Sequence, residues 1–540
     1  MKTTIRSLKF LQPASATTLV ITLCFFAFGL AAMATTFSDI RVNIPQIAGD
    51  LSSDQTAIFP TNSQNEPSIA VNPINPLILI AGANDRQETP ACTSSGYCGT
   101  YFNIGRQGVY TSNDGGMTWT NRGVLDDNSA WQGSSFYSMS DPVIAWGPKP
   151  NGQGGFSYSN GARVYYAGLV AYKFGLSPYP NFKGLVSVSY SDDNGITWSA
   201  PVIVESRDND NNFNDKDWLH VDNNPASPYF GRVYVTWTDF RSTSQNQGEP
   251  VKVGVSTDGG ATFGTSIQLS KASNPSGGGN GRQDTAVTTG PEGSAYVAWN
   301  DSSTILISIS RDGGKRWANP IVIGKVNPID DPIPGANFRT GDPDLQLRLG
   351  FALAADPRPG SSTLYAAWTT KASYGGQIVV STSTDKGNHW GAPVAISNSN
   401  EGYAFFPAID VASTGRVDIG YLALIASDPS TFGTGNALID SYYVQKPPTG
   451  SWSAPLRVTT VSSDPAVSSQ GDRSQQFWGD YTTIASSASK VWYIYTDGRN
   501  GVGCSAVDQY QLGLASQPNP LFDCPSQFGN TDIFVSVITP

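Results

Sequence analysis

The sequence predicts an all-β fold, a seven-bladed β-propeller, and three observations lead there. A short turn motif recurs five times, each copy is preceded by a pair of apolar strand patterns, and the two ends of the chain supply complementary parts of one sheet. The turn copies are Ser112-Asn-Asp114-Gly-Gly116-Met-Thr118-Trp119, Ser191-Asp-Asp193-Asn-Gly195-Ile-Thr197-Trp198 and Ser256-Thr-Asp258-Gly-Gly260-Ala-Thr262-Phe263. Two looser copies run Ser310-Arg-Asp312-Gly-Gly314-Lys-Arg316-Trp317 and Ser383-Thr-Asp385-Lys-Gly387-Asn-His389-Trp390. In such a turn aspartate and serine bond nearby backbone amides, glycine supplies positive φ, and the aromatic pins the turn to its sheet.

The strands before each turn come in pairs. The first opens on a polar residue and continues apolar, as in Glu66-Pro-Ser-Ile-Ala-Val71, Asp141-Pro-Val-Ile-Ala-Trp146, Asp217-Trp-Leu-His-Val221 and Asp284-Thr-Ala-Val287. Weaker versions start at Leu349, Phe406 and Asp480. The second alternates and is aromatic, as in Val233-Tyr-Val-Thr-Trp237, Ala295-Tyr-Val-Ala-Trp299, Leu364-Tyr-Ala-Ala-Trp368 and Val491-Trp-Tyr-Ile-Tyr495. Period-two patterning with β-branched and aromatic residues marks strands, and helical periodicity is absent. A short fourth strand follows each turn, for example Pro201–Val204, Ile267–Leu269, Pro320–Ile323 and Pro393–Ile396. Block six keeps only a remnant of the turn, Thr449-Gly-Ser-Trp452. Block seven has a third strand at Asp532–Val537 and then ends, so Asp39–Ile44 is expected to complete it and close the ring without an open edge. A six-bladed ring is the alternative if block five is an elaborated loop.

Residues 1–34 read as an export signal, with Lys2, Arg6 and Lys9 before an apolar stretch from Leu19 to Ala32 and a small-x-small cleavage site at Ala32-Met33-Ala34. Residues 35–540 then form one propeller domain, secreted to the extracellular space or the periplasm. No later stretch is long enough to span a membrane. Without the three basic signal residues the net charge moves from −10 to about −13. An acidic chain without basic runs is a poor partner for nucleic acid. Four of the five cysteines remain after cleavage, an even number suited to an oxidising compartment, and Cys92–Cys98 and Cys504–Cys524 pair as local loop staples. The chain has two histidines, His220 and His389, too few for a multi-histidine zinc site, and they make a Ser-His-Asp triad improbable.

The repeated turn resembles the Asp-box (BNR repeat) of the sialidase superfamily and related β-propellers, and the resemblance covers nearly the whole mature chain. It implies a secreted glycoside hydrolase, sialidase-like, taking a carbohydrate or glycoconjugate as partner and acting as a monomer with no required cofactor. A non-catalytic propeller binding glycan or protein is the alternative, because such turns serve the fold rather than a reaction. Antiparallel connectivity places the starts of the inner strands at one mouth of the central channel, on the face opposite the turns. Catalytic candidates there are Glu66, Asp141 and Asp284, with Tyr403 and Tyr481 because sialidases use a tyrosine nucleophile. Sialidases as a family hold the substrate carboxylate with three arginines, one in a Phe-Arg-Ile-Pro motif; here Gln64-Asn65-Glu66-Pro67-Ser68-Ile69 keeps the proline and apolar run but not the arginine. Arg86, Arg241, Arg282 and Arg499, with Asp85, Asp239 and Asp497, are the substrate-binding candidates, each at or near the end of a strand on that face. Asp208, Asp210 and Asn212 alternate as in a calcium loop but lack the glycine and glutamate of an EF-hand; they would hold a structural calcium ion.

Overall fold

The structure is a computed structural model that describes residues 35–44, 63–86, 106–173, 184–205, 212–241, 248–272, 282–327, 350–425, 437–468, 477–511, 513–518, 520–525 and 528–540. Residues 1–34, expected to be an export signal, lie outside the described residues, as do Cys92, Cys98, Asp208 and Asp210, and Asn212 opens a strand.

Seven antiparallel sheets follow one another along the chain. From hub to rim, strands A to D are Gln64–Val71, Leu79–Asp85, Arg106–Ser112 and Thr120–Val124 in blade 1. Blade 2 has Val143–Pro150, Phe156–Tyr172, Leu185–Ser191 and Val202–Ile203, and blade 3 has Asn212–Val221, Val233–Arg241, Val251–Ser256 and Ile267–Gln268. Blade 4 is built from Arg282–Thr289, Ala295–Asp301, Thr304–Ser310 and Ile321–Lys325, and blade 5 from Phe351–Ala355, Leu364–Ala372, Gly375–Ser383 and Val394–Ala395. Blade 6 has Tyr403–Val411, Val417–Ile425, Leu438–Lys446 and Leu456–Arg457. Blade 7 takes Thr483–Ser486, Val491–Asp497 and Asp532–Thr539 from the C-terminal end and Thr36–Arg41 from the N-terminal end. The closing strand pairs in register from Thr36 with Thr539 to Arg41 with Phe534. Seven blades and closure by the two ends therefore stand. The closing strand starts three residues earlier than the sequence suggests, and the rim strands of blades 2, 3 and 5 are shorter.

The aromatic B strands bury both of their faces because each blade is sandwiched between two others. Trp237, Trp299, Trp368 and Trp492 are at most 1% exposed. An apolar cluster fills each of the seven blade junctions, from blades 1 and 2 round to blades 7 and 1. Among the described residues helix is confined to connections. The Cys504–Cys524 disulfide brackets a short helix, Ser505–Gln511, whose Val507 packs with Phe528.

The five Ser-x-Asp-x-Gly turns share one bonding plan. In the second, Ser191 Oγ donates to Asp193 Oδ1 (2.7 Å) and accepts from the Gly195 amide (2.9 Å). Asp193 also accepts from the Thr197 amide (2.9 Å) and hydroxyl (2.6 Å), and Trp198 Nε1 donates to Gly195 O (3.2 Å). Where threonine is replaced, Arg316 and His389 make the same side-chain bond to Asp312 and Asp385. Each turn also joins its blade to the preceding one. Trp492 of blade 7 donates to Gly115 O (2.8 Å), and Arg163 of blade 2 donates to Gly259 O (2.8 Å). Gly195 sits at φ +80°, and a Cβ there would come within 2.8 Å of Ile80 of blade 1. Glycine is required both by the backbone and by that approach.

Candidate active site at the hub

In six blades a left-handed residue takes one shared position, within the inner strand or just ahead of it. These are Glu66 (φ 52°), Asp141 (φ 58°), Lys216 (φ 57°), Asp284 (φ 52°), Gly350 (φ 94°) and Phe406 (φ 49°). Each stands two residues ahead of a regular ladder pair, such as Ser68 with Gly82, Val143 with Ala167, Trp218 with Thr236 and Ala286 with Ala298. In blade 7 Tyr481 holds the position, two ahead of Thr483, and the left-handed residue is Gly479 (φ 86°). Bulges of this kind re-aim side chains. A non-glycine residue held there costs on the order of 1–3 kcal/mol, and such strain concentrates at functional sites. Blades 1 to 4 use the position for four charged residues in succession.

The side chains of blades 7, 1, 2 and 3 meet over the hub. Asn84 Nδ2 donates to Glu66 Oε2 (2.5 Å) and its Oδ1 accepts from the Asp141 amide (2.9 Å). Asp141 stands beside the carboxyls of both Glu66 and Asp215, and its presence raises each of them. The Lys216 amide donates to Asp215 Oδ1 (2.8 Å), and its ammonium reaches past blades 1 and 2 to pair with Asp480 of blade 7. The Asp480 amide donates to Glu66 Oε1 (3.1 Å), and Tyr481 Oη donates to Pro142 O (3.0 Å).

Burial dominates the electrostatics. It pushes the Glu66 carboxyl up, Asp141 adds to the rise, and Lys216 opposes it. Burial likewise pushes Asp215 and Asp217 well up, with Asp141 adding to each. The Tyr481 hydroxyl is driven up by burial and then by Glu66 and Asp141, so it stays protonated. Below the cluster a cavity of about 630 Å³ runs along the axis toward the turns joining A and B strands, lined at its upper end by Lys216, Asp217, Trp218, Asp284, Asp480 and Tyr481.

Of the catalytic candidates, the fold brings Glu66, Asp141 and Tyr481 together and puts Asp284 on the cavity wall. Tyr403 is apart from them, in the apolar cluster with Phe405 and Trp478 and against Gly375. The arginine candidates do not form one cluster. Arg241 is tied to Asp239 (2.9 Å), Arg282 to Asp301 (3.3 Å), and Arg499 to Asp497 (2.7 Å) and Asp39 (2.9 Å), each within its own blade. Arg86 is 3% exposed, and its amide donates to Ser63 O (3.1 Å). Asp85 accepts from Tyr110 and from Gln64 Nε2 (2.9 Å). Sequence reasoning missed Asn84, Asp215 and above all Lys216.

No family model matches the chain, and no curated protein matches it. Solved structures do show a general likeness. A leech intramolecular trans-sialidase aligns at a TM-score of 0.42 and 14% identity, over 71% of this chain and 67% of its own. A Penicillium chrysogenum α-L-arabinanase aligns at 0.44 and 11% over 94% and 98%. A polysaccharide lyase of the ulvan lyase family PL25 aligns at 0.42 and 10% over 80% and 92%. At TM-scores below 0.5 the chemistry has to be read from this chain's own residues.

Proposed function

We propose that this protein is an exported glycoside hydrolase that cleaves extracellular glycans with the hub carboxyls. One observation carries the reading: Glu66 is 3% exposed at the meeting of blades 7, 1 and 2, and burial with Asp141 beside it raises its carboxyl above the ordinary value. Glycosidic cleavage asks for this division of labour, one carboxyl able to give a proton to the departing oxygen and another able to attack the sugar or activate water. Glu66 is the proton donor. After bond cleavage the water whose oxygen takes the sugar carbon returns its proton to Glu66, while Asp141 beside it tunes that carboxyl. Asp284, on the cavity wall, takes the attacking role. Tyr481 holds the hub closed through Pro142 and serves as a wall rather than a nucleophile, since its ionisation is opposed on every side. The Ser-x-Asp-x-Gly turns keep the seven blades in place around this centre and take no part in the chemistry.

The test is sugar release from a panel of neutral, amino and acidic polysaccharides by wild type, Glu66→Gln, Asp141→Asn and Asp284→Asn. A fall of at least about 100-fold in turnover for folded Glu66→Gln supports the reading, since general acid catalysis contributes about 10²–10⁴-fold. The bonds that span the hub favour a second reading. The Lys216–Asp480 pair and the Asp480 amide bond to Glu66 link blade 7 to blades 3 and 1, as a closure device in a glycan- or protein-binding propeller would. Glycan binding without turnover on any substrate would select that reading.

A further inference from the structure

The axial cavity contains acceptors that the proton chemistry does not use. Asp217 is 2% exposed and lines the cavity, and neither of its carboxylate oxygens receives a hydrogen bond from another described residue; only its own amide leans toward it. The Asp480 side chain is 9% exposed; Lys216 pairs with its Oδ2, while its Oδ1 has no partner among the described residues. Asp284 and Asp410 add two more carboxyls to the same lining, against the single ammonium of Lys216. His220 also lines it, and burial lowers that imidazole to about 4, so it adds no positive charge at neutral pH. Buried acceptors without donors cost free energy unless something supplies the donors.

We propose that the axial cavity binds a ligand bearing a protonated amine, with Asp217 and Asp480 Oδ1 as its acceptors. Trp218 and Tyr481 meet there edge to face at 5.8 Å, and both line the cavity, so aromatic rings that attract a cation stand beside these acceptors. Among the described residues no three Asp, Glu, His or Cys side chains converge as a metal ion needs. An ammonium group needs only acceptors and aromatic faces. Burial pushes the Asp217 carboxyl toward its neutral form; an ammonium beside it favours the ionised form, and a sialic or uronic carboxylate would oppose it. The volume, about 630 Å³, lies within the range of small-molecule sites. The choice of an amino sugar as the amine's carrier rests on the glycan reading above; the amine site itself does not.

The test is calorimetric titration of the full mature protein with a glucosamine oligomer, its N-acetylated counterpart, an oligogalacturonate and spermidine, in wild type, Asp217→Asn and Asp480→Asn. Thermal melts establish that the variants are folded. The expected result is that the glucosamine oligomer binds at least about ten-fold more tightly than its N-acetylated form, with a similar loss in one or both variants. Spermidine binding with the same dependence on Asp217 also supports the amine site and identifies a polyamine as a source. Three results overturn it: equal or tighter binding of the N-acetylated or acidic oligomer, wild-type affinity in both variants, or no binding of either amine. Binding is read without turnover, so failure here alongside Glu66-dependent hydrolysis of neutral glycans removes the amine site and leaves the hydrolase.

Discussion

Replacing Lys216 by methionine removes the cation from a nearly dry ion pair while keeping most of its apolar stem. The two side chains are 8% and 9% exposed, so water contributes little to either charge. With the ammonium gone, Asp480 Oδ2 loses its ion-pair partner while Oδ1 already has none among the described residues. Breaking a buried pair on one side costs about 3–5 kcal/mol, against about 0–1 for an exposed pair. The compact unit Thr36–Pro540 spans about 500 residues, which at ~2 cal/mol/K per residue gives an unfolding entropy near 1 kcal/mol/K. Lys216→Met should therefore lower Tm by about 3–5 °C in differential scanning calorimetry at neutral pH. Adding Asp480→Asn should recover most of the loss, because the remaining buried group no longer carries charge. A drop under about 1 °C, or a double variant less stable than Lys216→Met alone, would refute the claim that this pair is desolvated.

Other predictions follow from the same geometry. Gly195→Ala meets both a left-handed backbone and a Cβ 2.8 Å from Ile80, whereas Gly152 (φ +73°) has nothing within 4 Å of its added Cβ. The first should cost about 2–4 kcal/mol in urea unfolding and Gly152→Ala about 1, and equal losses would show that the turn is not packed against blade 1. The folded Glu66 carboxyl titrates above its ordinary value of 4.5, so it lowers stability as pH rises from that value through the folded one, and the cost vanishes below 4.5. Stability of Glu66→Gln relative to wild type should thus improve steadily from about pH 5 to about pH 9, and a flat difference would mean the carboxyl is not perturbed. Deleting residues through Arg41 removes the strand paired with Asp532–Thr539 together with the bonds of Asp39 to Tyr495 (2.7 Å) and Arg499 (2.9 Å). Light scattering during refolding should then rise well above that of the longer chain, because blade 7 is left with an open edge.

The blades were legible because their physics is local and repeated. Turn chemistry, period-two strands and complementary ends each leave a mark within a few residues, and together they give the ring and its closure. The hub was read less well, for a reason visible in the strands themselves. Counting from Glu66 and Asp141, the third and fifth residues onward are apolar, Ile69 with Val71 and Ile144 with Trp146. Applying that spacing to blade 3 selects Lys216 ahead of Leu219 and Val221, and in blade 7 it selects Tyr481 ahead of Ile484. Aligning on acidity instead shifts both blades by one residue, to Asp217 and Asp480, and a one-residue slip moves a side chain to the other face of a strand. The arginines carried a similar signal. Asp239 and Arg241 are two apart in a strand, hence on one face, and Arg499, in the turn just past Asp497, bonds back to it, so each pair forms before any ligand. Asn84 had no such mark, because its role depends on packing between blades 1 and 2.

The state of Glu66 is the point on which the chemistry turns, and infrared difference spectroscopy in the carboxyl region measures it directly. Wild type minus Glu66→Gln at neutral pH should show the band of a protonated carboxylic acid that the variant lacks. If the difference contains only the bands of an ionised carboxylate, Glu66 holds no proton to give, and the hub cannot work as the acid of a glycosidase.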